Sequence, residues 1–200
     1  TSERMNGLLL KTAWLNNSKR SEDIEKGITT LLHLLKEVIG TNDLMELRIR
    51  SQLAELYSSQ KNKIGVIFAT ENSYEIWKRH AQDPQYARAT HTGLRLRAAA
   101  GPWKMASYEE SQFRHLVEVS AIVGDLETGV YIEDSQGLVE YLIESAQFAK
   151  AKPLCTQNLE LASNLPENYH KRFRLLFRAY TQQGKVYLGE NDPKNAKASF

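Results

Sequence analysis

Five histidines, one cysteine and a few neighbouring acids are the residues of this 200-residue chain that could support catalysis or metal binding. Their spacing argues against both. His33, His80, His91, His115 and His170 stand one at a time. A zinc site needs ligands such as two histidines one turn apart in His-Glu-x-x-His, or closely spaced cysteines, and neither pattern occurs. His33 lies beside an apolar stripe and is expected to be partly buried and hydrogen-bonded; the other four are expected at the surface. No Gly-x-x-x-x-Gly-Lys or Gly-x-Gly-x-x-Gly loop is present to cradle a phosphate with backbone N–H groups. Glu109-Glu110 and Glu133-Asp134 are adjacent acids that diverge on a helix, so neither makes an acid/base couple. A basic row is more suggestive. Arg88, His91 and Arg95 recur at i, i+3 and i+7 and line one side of a helix, with Arg97 and Lys78-Arg79-His80 close in sequence. They form a candidate anion-binding site for phosphate or an acidic segment, alongside the plainer reading of a solvated face. The expectation is a protein without metal or cofactor that is not an enzyme.

Those residues have to be positioned by an ordered fold, and the composition supports one: 42% hydrophobic residues and only 5 prolines fit a folded chain with a sizeable core. Cys155 has no partner for an internal disulfide, which favours a reducing compartment and a cytoplasmic location. No apolar run has the length of a membrane span, and Leu8-Leu9-Leu10 lacks the length and flanks of a signal-peptide core. The formal net charge of +2 conceals segregation. Residues 105–166 hold three bases against ten acids, and residues 167–200 hold seven bases against three acids. Neighbouring surfaces of opposite sign bear on partner choice through long-range fields.

Helical periodicity runs along the chain. Residues 2–15 predict a short helix ended by Asn16-Asn17-Ser18. Ser21 with Glu22 and Asp23 reads as a capped start, Ile24, Ile28, Leu31, Leu32, Leu35 and Ile39 form one apolar stripe, and Gly40 stops it. A second helix spans about 42–59. The segment Ile64–Trp77 reads as one helix, because a strand there would have no partner. Asp83-Pro84 suits a helix start, the small residues from Ala87 to Ala100 allow close helix approach, and Gly101-Pro102 ends the segment. Ser107 with Glu109 and Glu110 opens a further helix that stops at Gly124-Asp125.

The final third carries a spacing motif. Tyr180-x2-Gln183-Gly184-x2-Tyr187, then Ala196-x3-Phe200, has a counterpart 45 residues earlier in Leu138-Val139-x2-Leu142, then Ala151-x3-Cys155, and a weaker one in Leu53-Ala54-x2-Tyr57. This spacing resembles the tetratricopeptide (TPR) repeat, W-x2-L-G-x2-Y…A-x3-F. Gln147 to Cys155 is similar to the second helix of the long repeats of kinesin light chains and bacterial TPR regulators. The match is good over 130–200, thin over 21–80, and absent in detail over 84–124; Ser135 and Gln183 replace apolar residues. The resemblance implies an all-α fold of antiparallel helix hairpins, about nine helices stacked into a right-handed superhelix, with residues 1–200 as a single TPR-like α-solenoid domain. It makes Tyr180, Gly184, Tyr187, Ala196, Phe200 and Cys155 packing positions. A chain that stops at Phe200, inside a repeat and without a polar cap, is expected to be part of a longer protein.

In TPR families the first helix of each repeat lines a concave groove. The resemblance therefore implies a groove bearing Glu133, Gln136, Glu140 and Glu144 from one repeat and Arg178, Thr181 and Lys185 from the next. Two readings stand side by side. A two-signed groove could orient an extended or helical peptide; alternatively, Glu133 and Glu140 simply pair with Arg178 and Lys185 across adjacent helices. The family's carboxylate clamp is half present, since Arg178 and Lys185 fit it and the two glutamates oppose it. The expected function is a non-catalytic protein- or peptide-binding module with a regulatory, sensing or scaffolding role. The alternative is nucleic-acid binding through Arg88, Arg95, Lys171, Arg172, Arg174 and Arg178, with affinity that falls steeply with salt.

Overall fold

A computed structural model describes residues 2–17, 20–100, 106–123 and 129–200, and every regular element among them is a helix. The expected stops at Ser18, Gly101-Pro102 and Gly124-Asp125 lie outside the described residues, as do the side chains of the Ser107 and Glu109 cap. Eleven helices are present among the described residues, and the chain divides into two compact units, Thr1–Pro102 and Trp103–Phe200.

The first unit holds α1 (Ser2–Asn17), α2 (Ser21–Val38), α3 (Asp43–Ser59), α4 (Lys63–Ala69), α5 (Ser73–Lys78) and α6 (Pro84–Ala99). Its centre is α3, which packs against α1, α2, α4, α5 and α6. Leu47, Ile49, Leu53 and Leu56 are almost wholly buried, each worth roughly 1.5–3 kcal/mol relative to exposure. A buried ion pair sits among them: Arg50 Nε donates to Glu46 Oε1 at 2.8 Å, and Arg50 Nη1 donates to the Ala69 carbonyl at 3.3 Å, tying α3 to the end of α4. Breaking one partner of such a pair leaves an uncompensated charge.

Two sequence expectations need correction here. Ser21 is the first helical residue of α2, not its cap; Arg20 occupies the cap position and contributes no side-chain bond. The stretch 64–77 is not one helix. It breaks between α4 and α5, where Asn72 adopts φ of 60° and the Thr70 hydroxyl turns back to the Val66 carbonyl at 2.8 Å. Asn is among the few residues that tolerate the left-handed region, so it permits a break that an apolar count does not register. Asp83, by contrast, caps α6 as its sequence suggests, accepting from the Gln85 N–H at 2.8 Å.

The second unit holds α7 (Ala106–Val123), α8 (Val130–Glu144), α9 (Phe148–Asn164), α10 (Arg172–Gly189) and α11 (Pro193–Ser199). Helices α8, α9 and α10 pack on one another, with Ile132, Leu138, Leu142, Ala162, Leu175 and Ala179 at 2% exposure or less. The repeat appears in the backbone as well as in the spacing. The α8–α9 turn places Ala146 at φ of 55°, with Ala146 N–H on the Ile143 carbonyl at 3.0 Å and Gln147 N–H on the Leu142 carbonyl at 2.8 Å. Forty-five residues on, the α10–α11 turn places Asn191 at φ of 59°, with matching bonds to Leu188 at 3.1 Å and Tyr187 at 2.8 Å. The same turn joins α3 to α4 in the first unit: Lys61 has φ of 56°, bonds to Ser58 at 2.9 Å, and is followed by Asn62 bonded to Tyr57 at 2.8 Å. The weak motif at Leu53–Tyr57 thus precedes the same helix ending as the two stronger ones, a closing turn that satisfies the last carbonyls of each helix.

Candidate functional site

Helix α10 has three sides, each set by its 3.6-residue period. Leu175, Ala179, Gln182 and Val186 recur at i, i+4, i+7 and i+11 and are buried. Arg174, Arg178, Thr181 and Lys185 form a second row about 100° away. Phe173, Phe177 and Tyr180 form a third, and they are 82%, 65% and 44% exposed. A packed face, a basic face and an aromatic face therefore share one helix.

The acids of α8 meet the basic row. Glu133, whose side chain is mostly buried, pairs with Lys171 Nζ at 3.0 Å and with the Arg174 guanidinium. Glu140 accepts from Lys185 Nζ at 2.7 Å and from Gln182 Nε2 at 3.0 Å. Burial pushes the Glu140 carboxyl upward, but the bonds from Lys185 and Gln182 and the nearby charge of Arg178 outweigh it, so the group sits below the usual glutamate range. Arg178 is exposed and acts on Glu140 only through its charge. The Thr181 hydroxyl donates to the Phe177 carbonyl of its own helix at 2.8 Å.

Gln136 departs from the groove expectation. It is wholly buried, its Nε2 donates to the Leu175 carbonyl at 2.8 Å, and Gln182 Nε2 donates to the Gln136 backbone carbonyl at 2.8 Å. An amide can satisfy backbone groups inside a helix interface, so a polar letter in the repeat does not by itself mark a surface. Spacing places Gln136 on α8 but does not show that α10 covers it.

The chemically interesting residues elsewhere have local roles. Cys155 is 1% exposed, and burial first, then the charge of Glu140, pushes its thiol up to about 12, far from a nucleophile. His33 is exposed rather than partly buried. His80 is not simply a surface residue: its Nε2 lies 2.9 Å from Asp43, which Arg79 also grips at 3.0 Å through both oxygens, and its ring stacks on Tyr86 with centroids 4.0 Å apart. His91 and His115 are half-buried, and His170 is exposed. Among the expected basic residues, Arg88 and Arg95 are exposed on α6, whereas Arg172 donates to the Ser163 carbonyl at 3.2 Å.

The repeat spacing marks Tyr180 and Phe200 as packing residues and assigns nothing to Phe173 and Phe177. The i, i+4, i+7 aromatic spacing was available to find the row. Its exposure follows from the repeat: the positions 45 residues earlier, Ile132 for Phe177, Ser135 for Tyr180 and Cys155 for Phe200, are at most 1% exposed. Phe177, Tyr180 and Phe200 itself, at 71% exposure, lack such cover among the described residues.

The sequence matches no family model and no curated protein. The fold does have solved counterparts. A kinesin-light-chain-like protein of Podosopora anserina with nearly identical TPR-like repeats aligns with a TM-score of 0.68 at 12% identity, covering 98% of this chain and 92% of that one. A point variant of that same protein aligns with the same values. At that identity the likeness speaks for architecture alone, and it fixes the architecture: this chain has an all-α, TPR-like helical-repeat fold.

Proposed function

We propose that this chain is a non-catalytic protein-interaction module that binds a helical or extended peptide along α10, as a recruiting or scaffolding element of a cytoplasmic protein. The observation that carries the reading is the pairing of rows on one helix. Phe173, Phe177 and Tyr180 offer apolar contact, and Arg178 stands about a quarter-turn away with no hydrogen bond to a described residue. Glu133, Glu140 and Lys185 frame that surface as neutralised pairs, so its surplus charge is positive. A partner segment suited to it presents apolar side chains to the aromatic row and a carboxylate to Arg178. Aromatic and Arg anchors are the residue types that most often dominate such interfaces. The TPR-like fold is consistent with the reading, since stacked hairpins expose extended binding surfaces.

The test is selection of displayed peptides against the chain, followed by titration of the enriched sequences. Enriched peptides should combine an acidic residue with apolar anchors, and Arg178→Glu or Phe177→Ala should weaken them by about tenfold or more. Failure to enrich any sequence, or binding indifferent to both substitutions, overturns the proposal.

A further inference from the structure

In the first unit, α3 and α6 lie unusually close. A side chain at Gly93 would meet Ser51 Oγ at 3.1 Å, and the Ser51 hydroxyl donates to the Ala89 carbonyl across the interface. This approach brings Arg48 of α3 and Arg88 of α6, forty residues apart in sequence, to one depression of about 470 Å³ lined by Arg48, Gln85, Arg88 and Ala89.

Among the described residues, none that line the depression carries a carboxylate. The nearby acids of α3 are already engaged, Asp43 by Arg79 and His80 and Glu46 by Arg50. From Pro84 to Ala99, α6 carries three arginines and no acid, and Asp83 is committed to the Gln85 backbone N–H. Neither Arg48 nor Arg88 makes an ion pair or hydrogen bond with a described residue, although both are exposed. Two like charges directed into one acid-free depression raise the local positive potential and favour an anion between them.

We propose that Arg48 and Arg88, assisted by the Gln85 amide, form a binding site for a phosphate-type oxyanion, either free phosphate or the phosphomonoester of a modified peptide. A carboxylate is filled by one guanidinium fork, whereas a tetrahedral dianion has oxygens enough for two forks and an amide donor. The site lies within the first unit, and the proposal does not depend on the α10 surface.

The experiment is an NMR titration of the chain at pH 7.5 and constant ionic strength with inorganic phosphate and, separately, with a short phosphoserine peptide. The Arg48 and Arg88 Nε–H signals and the Gln85 side-chain amide should move together and saturate, with Kd on the order of 1–10 mM for free phosphate. Arg48→Gln and Arg88→Gln should each weaken binding about tenfold, and Arg95→Gln should leave it within about twofold. Tighter binding of the peptide assigns the site to a phosphorylated partner, and equal affinity assigns it to free phosphate. Drift without saturation up to about 50 mM, or the same response in Arg48→Gln and Arg88→Gln, overturns the proposal.

Discussion

Helices α8 and α10 carry the same motif 45 residues apart and end in the same turn, yet equivalent positions on them differ in burial. Ile132, Ser135, Val139 and Leu142 of α8 are fully buried; of their counterparts in α10, Phe177 and Tyr180 are exposed, Gly184 is buried under the Phe200 ring, and Tyr187 is half-buried. The motif therefore dictates the shape of a hairpin, while the neighbouring helix decides which of its side chains are core. Identical spacing gives a buried residue in one copy and an exposed one in the next.

The widest gap between the copies should lie in thiol chemistry. Cys155 and position 200 are equivalent, one buried and one exposed. In a Phe200→Cys variant, the new thiol should react with a disulfide reagent at pH 8 roughly a thousand times faster than Cys155, whose value of about 12 leaves almost no thiolate. Comparable rates would break the contrast between a buried copy and an exposed one. Packing energy should differ next: Leu142→Ala should cost about 2–5 kcal/mol in urea unfolding, and the half-buried twin Tyr187→Ala clearly less. Equal losses would show that α10 is as much core as α8. Gln182→Ala should cost about 1–3 kcal/mol, because it leaves Glu140 with one bond fewer and removes the donor to the Gln136 carbonyl.

The twin turns offer a subtler contrast. Ala146 at φ of 55° is strained where Asn191 at 59° is tolerated, so Ala146→Gly should stabilise by about 0.5–1 kcal/mol and Asn191→Gly by less. The smallest effect joins the two helices. Glu140 has a lowered carboxyl, so its contribution is complete above the unfolded glutamate value near 4.3 and is lost as pH falls through the lower folded value. Glu140→Gln should thus cost about 0.2–1 kcal/mol at neutral pH and make the acid limb of the stability curve shallower below about pH 4.5. An unchanged acid limb would remove the Lys185 pair from the energetics.

The fold was legible wherever burial follows period. Leu31, Leu35, Leu53, Leu138, Leu142 and Ala151 announce their faces through helical spacing, and Asp83-Pro84 announces a helix start. The break at Asn72 depends on one residue's left-handed backbone state, and its only trace in the sequence is the polar stretch Thr70-Glu71-Asn72-Ser73 between the apolar residues on either side. The candidate site was only partly readable. Glu140 and Lys185 could be paired by register, but Glu133 pairs with Arg174 and with Lys171, which precedes the first turn of α10 and so falls outside the helical register. The meeting of Arg48 with Arg88 depends on how closely two helices cross, which no local pattern records.

The crossed amides of Gln136 and Gln182 give the repeat a key. Each side chain reaches a backbone carbonyl of the opposite helix, Leu175 for Gln136 and Gln136 itself for Gln182. Look-alike hairpins can stack in the wrong order or slip by a turn with little loss of apolar contact, a hazard of repeat chains during folding. A slipped α10 would carry Gln182 away from the Glu140 carboxylate, to which its amide also donates at 3.0 Å. The pair thus favours the native register, and replacing both with leucine should leave Glu140 one bond short while letting hairpins exchange partners.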